Sequence, residues 1–119
     1  MENGKNIYGD IMDDKYELYD NKFNSIIEEY FKTFSVKNRA YKGSFFSKDF
    51  EFAFFDCYRK WDRIYSIYKD IKALTPQQLK EYFCAQEIDG NSEGLKEQIR
   101  DLVIFLIMMR IYIEDNYLK

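Results

Sequence analysis

Glu93, Glu97 and Asp101 recur every four residues, so they share one face of any helix that contains them. Stacked carboxylates repel one another unless a cation lies among them. Their oxygens suit magnesium, a hard ion that keeps waters and bridges substrate phosphates. Glu28 and Glu29 offer the acid from a second helix that a site built between bundle helices requires. The expected metal set is Glu28, Glu97 and Asp101, with Glu29 and Glu93 as alternates. Lys37, Lys60 and Arg63 are the expected phosphate-binding residues. Each has an ordinary alternative, because charged side chains on helices commonly face water. Asp101 directly precedes an apolar run, Leu102 to Met109, where an unpaired charge is costly. A magnesium ligand and an ion pair with Lys60 or Arg63 stand as equal alternatives for it.

The chain has no histidine, which removes the commonest general base and any Ser-His or Cys-His nucleophile pair. Cys57 and Cys84 are its only cysteines and form no CxxC, so zinc-ribbon and thioredoxin-like chemistry are excluded. Cys57 falls on an apolar helical face and reads as a small buried hydrophobe. The net charge of −3 gives no general attraction to nucleic-acid backbones. The 11 Tyr and 11 Phe therefore read as core rather than as a base-stacking surface. The eight-residue apolar run ending at Arg110 is too short to span a membrane. No secretory leader pattern opens the sequence, and a cytoplasmic location is expected.

Helical periodicity supplies the elements that must position these groups. Residues 1–14 read as a flexible polar arm and 15–119 as a single domain. Tyr16, Tyr19, Phe23, Ile26, Ile27, Tyr30 and Phe34 mark one face of a first helix that fades at Lys37-Asn38. A Phe-rich loop follows over 38–48, with Ser47 expected to cap the next helix and Glu51 near capping-box position. Phe54, Cys57, Trp61, Ile64, Tyr68 and Ile71 form the stripe of a second helix. Thr75-Pro76-Gln77-Gln78 has the N-cap, N1 and N3 residues of a short third helix. Asp89 to Ser92 reads as a turn and cap before a last helix, Glu93 to Asp115. Its main stripe is Leu95, Ile99, Leu102, Leu106, Met109 and Ile113, and Val103 to Met108 extend the apolar surface round the cylinder. The expected fold is all-α, an antiparallel bundle of three long helices and one short one. A homodimer is expected to cover the last helix's surplus apolar side; the short helix and the Phe-rich loop are the alternative cover.

The order of these pieces resembles the phage nucleotide modification associated domain family, which is similar to the all-α MazG-like and dimeric dUTPase-like nucleoside triphosphate pyrophosphatases. The resemblance lies in Lys37-Asn38-Arg39-Ala40-Tyr41-Lys42-Gly43-Ser44-Phe45, in Arg59-Lys60-Trp61-Asp62-Arg63-Ile64 and in the spaced acids through Asp101-Leu102 to Met108. It implies magnesium-assisted hydrolysis of a nucleoside triphosphate to a monophosphate and pyrophosphate. Ala40, Lys42, Arg59 and Ile104 depart from the family pattern, which has Asp, Gly, Asp and Asn there. Two carboxylates are missing and one has become a cation, which implies degenerate catalysis with binding of a nucleotide or a protein partner retained. The alternatives are an active magnesium-dependent pyrophosphohydrolase and a small acidic inhibitor of a host defence protein, anti-CRISPR-like or otherwise anti-defence.

Overall fold

The computed structural model describes residues 7–40, 43–47, 49–89 and 94–118, with side chains from residue 14 onward, Asp89 excepted. The fold is an all-α bundle, with no strand among the described residues. Helix α1 spans Ile7–Ala40, a 3₁₀ turn Ser44–Ser47, α2 Phe50–Ile71, α3 Pro76–Asp89 and α4 Leu95–Tyr117. Residues 7–14, expected as part of a loose arm, are the first two turns of α1. The Asp89–Ser92 turn expectation falls at the edge of the described residues, and Gly90 to Glu93 lie outside them.

Local chemistry sets the element ends. Gly43 adopts a φ of 69°, a left-handed conformation that glycine reaches without steric cost. Its N–H donates to the Asn38 carbonyl at 2.9 Å, which closes α1 and turns the chain toward Phe45. Asp49, rather than the expected Ser47, is the N-cap of α2, and its carboxylate accepts from the Phe52 N–H at 2.8 Å. Ser47 donates instead to the Ser44 carbonyl inside the 3₁₀ turn. Thr75 and Gln78 form the expected capping box of α3: each side chain accepts from the other residue's N–H, at 2.9 and 3.2 Å.

Helices α2 and α4 make the main contact and run antiparallel. Lys60 meets Asp101, and Phe50 lies near Tyr112 and Tyr117 with ring centroids 6.2 Å apart. Helix α1 joins them near its C-terminal end, and α3 has only sparse contact with the rest. The core is small: Phe45, Ala53 and Met108 are buried, with Phe34, Phe46, Ile104 and Phe105 around them.

The packing seams differ from the most apolar stripes. On α2 the inward line runs through Ala53, Asp56, Cys57, Lys60, Ile64, Ile67 and Ile71. Cys57, Ile64 and Ile71 of the expected stripe belong to it; Phe54, Trp61 and Tyr68 are exposed. On α4 the buried positions are Gln98 and Met108, whereas Ile99 and Leu106 of the expected stripe are exposed. Small Ala53 and Cys57 let the two backbones approach, and bulky rings on that line would hold them apart.

Candidate functional site

Where α1, the 3₁₀ turn, α2 and α4 converge, they enclose an open-mouthed cavity of about 280 Å³. Its apolar wall is Phe34, Phe45, Ile104, Phe105 and Met108. Lys37, Asn38, Ser44, Asp56, Arg59, Lys60 and Asp101 form the polar side. Each element delivers its groups for a local reason. The Gly43 turn brings Ser44 and Phe45 back against α4, and the inward line of α2 carries Asp56 and Lys60 one turn apart.

Asp101 is the electrostatic centre. The Arg100 guanidinium is 3.1 Å from it, the Lys60 ammonium 3.3 Å and the Lys37 ammonium 3.9 Å. Only 15% of the Asp101 side chain and 14% of Lys60 is exposed, so water screens this pair weakly. Lys37 and Arg59 have half-exposed heads at the cavity. Arg59 pairs with buried Asp56 at 3.4 Å, three residues earlier on α2. Among the described residues, three cations and two carboxylates thus line the cavity, and Arg100 adds a fourth cation beside Asp101. Burial, then the adjacent Asp56 carboxylate, pushes the Cys57 thiol up. Burial, then Glu29, also pushes the Tyr30 phenol up beside this cluster.

The structure brings together Lys37, Lys60 and Asp101 of the expected site residues. Asp101 stands as an ion pair with Lys60, one of the two alternatives open for it. Arg63 is exposed and does not line the cavity. Glu28 lies on the exposed side of α1 with Lys32 at 3.5 Å, nine residues and about 13 Å of helix before Lys37. Glu29 is exposed beside it. Glu97 folds back to the start of α4: its carboxylate is 3.0 Å from where a Cβ on Gly94, the N-cap residue, would stand. An acid there favours the helix N-terminus. Glu93 lies outside the described residues. Among the described residues no three His, Cys, Asp or Glu side chains are placed to hold a metal ion. The expected Glu28–Glu97–Asp101 magnesium set does not fit this arrangement, because Asp101 already faces three cations and the two glutamates serve other contacts.

Asp56, Arg59, Arg100, Asn38 and Ser44 were not among the expected site residues. For Asp56 a signal existed: an acid three residues before an arginine, next to Cys57 on the line of small residues. Arg59 stood out in the sequence as a departure from a family pattern rather than as a binding group. Among the described residues no helix is long and apolar enough to cross a membrane. Compared with family models, curated proteins and solved structures, the chain matches none.

Proposed function

We propose that this chain binds a phosphorylated small molecule of the nucleotide class in the cavity between α1, α2 and α4, without hydrolysing it. The observation that carries this reading is the excess of cations lining the cavity, Lys37, Arg59 and Lys60 against Asp56 and Asp101, with Arg100 beside Asp101. An anion relieves that imbalance, and Lys37 and Arg59, whose side chains are half exposed, can turn toward it from their carboxylates. Arginine supplies a planar fork for phosphate oxygens and lysine a point charge. The phenylalanine wall suits the flat apolar part of the same ligand. A cavity of about 280 Å³ sits near the lower end of ligand-pocket sizes, so the phosphate seats inside and the remainder occupies the open mouth. The motif order resembling phage nucleotide proteins supports the nucleotide class.

Hydrolysis by a protein-held metal needs carboxylates free to coordinate it, and both acids here are engaged by basic side chains. Magnesium enters this reading only as the counter-ion of the ligand's own phosphates. The test is calorimetric titration with inorganic phosphate, nucleoside monophosphates and nucleoside triphosphates, each with and without magnesium. Binding is expected for the nucleotides, and Lys37→Ala and Arg59→Ala should each weaken it roughly 10- to 100-fold, since a charged hydrogen bond contributes about 1.5–3 kcal/mol. No binding by any phosphorylated compound overturns the proposal. Magnesium-dependent release of pyrophosphate overturns its non-hydrolytic part.

A further inference from the structure

Among the described residues, two long helical faces are left largely uncovered. On α2 the rings of Phe54, Tyr58, Trp61, Tyr65 and Tyr68 repeat at steps of four and three, and each remains about half exposed. On α1 the same alternation runs through Tyr16, Tyr19, Phe23, Ile26 and Tyr30, with Phe23 66% exposed. Both seams span fifteen residues, about 21 Å of helix. A repeat of three and four is the spacing by which one helix docks along another. Helix α1 is continuous over 34 residues and meets α4 only near its C-terminal end. It has no hinge in this stretch by which residues 14–29 could fold back onto their own bundle.

The two seams are electrostatically opposite. Residues 14–29 hold five acids and two bases, a net −3. Residues 54–68 hold three bases and two acids, a net +1, and Lys69 and Lys72 follow them. The amount of uncovered surface also fits a large interface. The chain exposes 9489 Å², whereas a compact monomer of 14.5 kDa exposes about 6,900 Å². Its radius of gyration is 18.9 Å, against roughly 13.5 Å for a compact chain of this length. Counted on both members of a pair the excess is about 5,000 Å², enough surface to supply an interface of obligate-homodimer size.

We infer that the chain forms a two-fold symmetric homodimer in which residues 14–30 of α1 in each copy dock on the Phe54–Tyr68 face of α2 in the other. Two-fold symmetry makes both contacts at once, so each copy donates its acidic arm and receives its partner's. None of the five rings of the receiving face lines the cation-lined cavity.

Light scattering and sedimentation over a concentration series test it. The wild-type chain is expected at twice 14.5 kDa. One variant, Glu17→Lys with Asp20→Lys, makes the arm basic; another, Arg63→Glu with Lys69→Glu, makes the receiving face acidic. All four residues are exposed, and unchanged far-UV circular dichroism checks their folding. Each variant alone should dissociate at least tenfold more readily than wild type. An equal mixture should recover the dimer mass, because each basic arm then meets an acidic face. A wild-type chain that stays monomeric, or a basic-arm variant that dimerises as well as wild type, overturns the inference. So does a mixture that fails to recover the dimer, whereas pairing of α1 with α1 or of α2 with α2 would leave the basic-arm variant no weaker.

Discussion

Helix α2 carries two seams side by side, one turned inward and one turned outward, and they are built from different residues. The inward seam is small and aliphatic with charges set among it: Ala53, Asp56, Cys57, Lys60, Ile64, Ile67 and Ile71. The outward seam is almost entirely aromatic: Phe54, Tyr58, Trp61, Tyr65 and Tyr68. By apolar area alone the outward seam should be the buried one. Backbone approach and charge pairing decide otherwise. Ala53 is wholly buried against Phe45 and Met108, and Lys60 reaches Asp101 only if α2 and α4 lie close. The rings, unable to enter so narrow a contact, are left for another surface.

The sharpest way to break this contrast is to remove the charge that anchors the inward seam. Asp101→Ala leaves Lys60 enclosed beside Arg100 and Lys37 without the acid that all three share. Losing one partner of a buried ion pair costs about 3–5 kcal/mol, and the residual exposure here favours about 3. Urea unfolding would measure it. A loss below about 1 kcal/mol would place this cluster with solvated pairs such as Glu28–Lys32 and remove the electrostatic account of the seam. Replacing both partners by apolar residues, Lys60→Met with Asp101→Leu, is expected to recover most of the stability, because no uncompensated charge remains.

The second test acts on volume. Ala53→Leu inserts a branched side chain where the accessible surface is zero. Overpacking of this kind costs about 2 kcal/mol, through displaced Phe45 and Met108 or a shifted α2. The adjacent outward substitution Phe54→Leu should alter the stability of the dissociated chain by less than about 0.5 kcal/mol. Equal losses from the two would mean that the seams do not differ in packing.

This pair of neighbours also shows how far the sequence could be read. Alternation of three and four residues identified α2 and α4 as helices, and Thr75 with Gln78 marked the start of α3 down to its hydrogen bonds. Periodicity cannot say which of two adjacent seams meets the same chain. A residue such as Phe54 differs from Ala53 by 100° around the helix, and hydrophobicity ranks them in the wrong order for this contact. Lys37, Lys60 and Asp101 could be singled out because charges near an apolar run need a partner. Asp56 and Arg59 could not be placed in the cavity without knowing the inward seam, and Glu28 and Glu97 shared only a type with Asp101. The distance between α1's acids and α4's depends on where the helices cross, which no local pattern encodes.

The smallest effect on the isolated chain should come from the outward seam, and its dependence on concentration is what makes it informative. Trp61 is the only tryptophan, 52% exposed, and its nearest ring contact is Tyr65 on the same helix at 6.4 Å. Trp61→Ala therefore removes little tertiary packing from a single copy, about 1 kcal/mol when unfolding is followed at high dilution. If the aromatic seam is covered by a second copy, native-state stability rises with protein concentration in the wild type by mass action. The variant should lack most of that rise, so the gap between them widens as concentration increases. Tryptophan emission of the wild-type chain should shift to the blue over the same range as Trp61 leaves water. A gap that stays constant, with emission unchanged, would mean that the ring faces solvent in the working molecule. The inward seam would then account for all of the stability that α2 contributes.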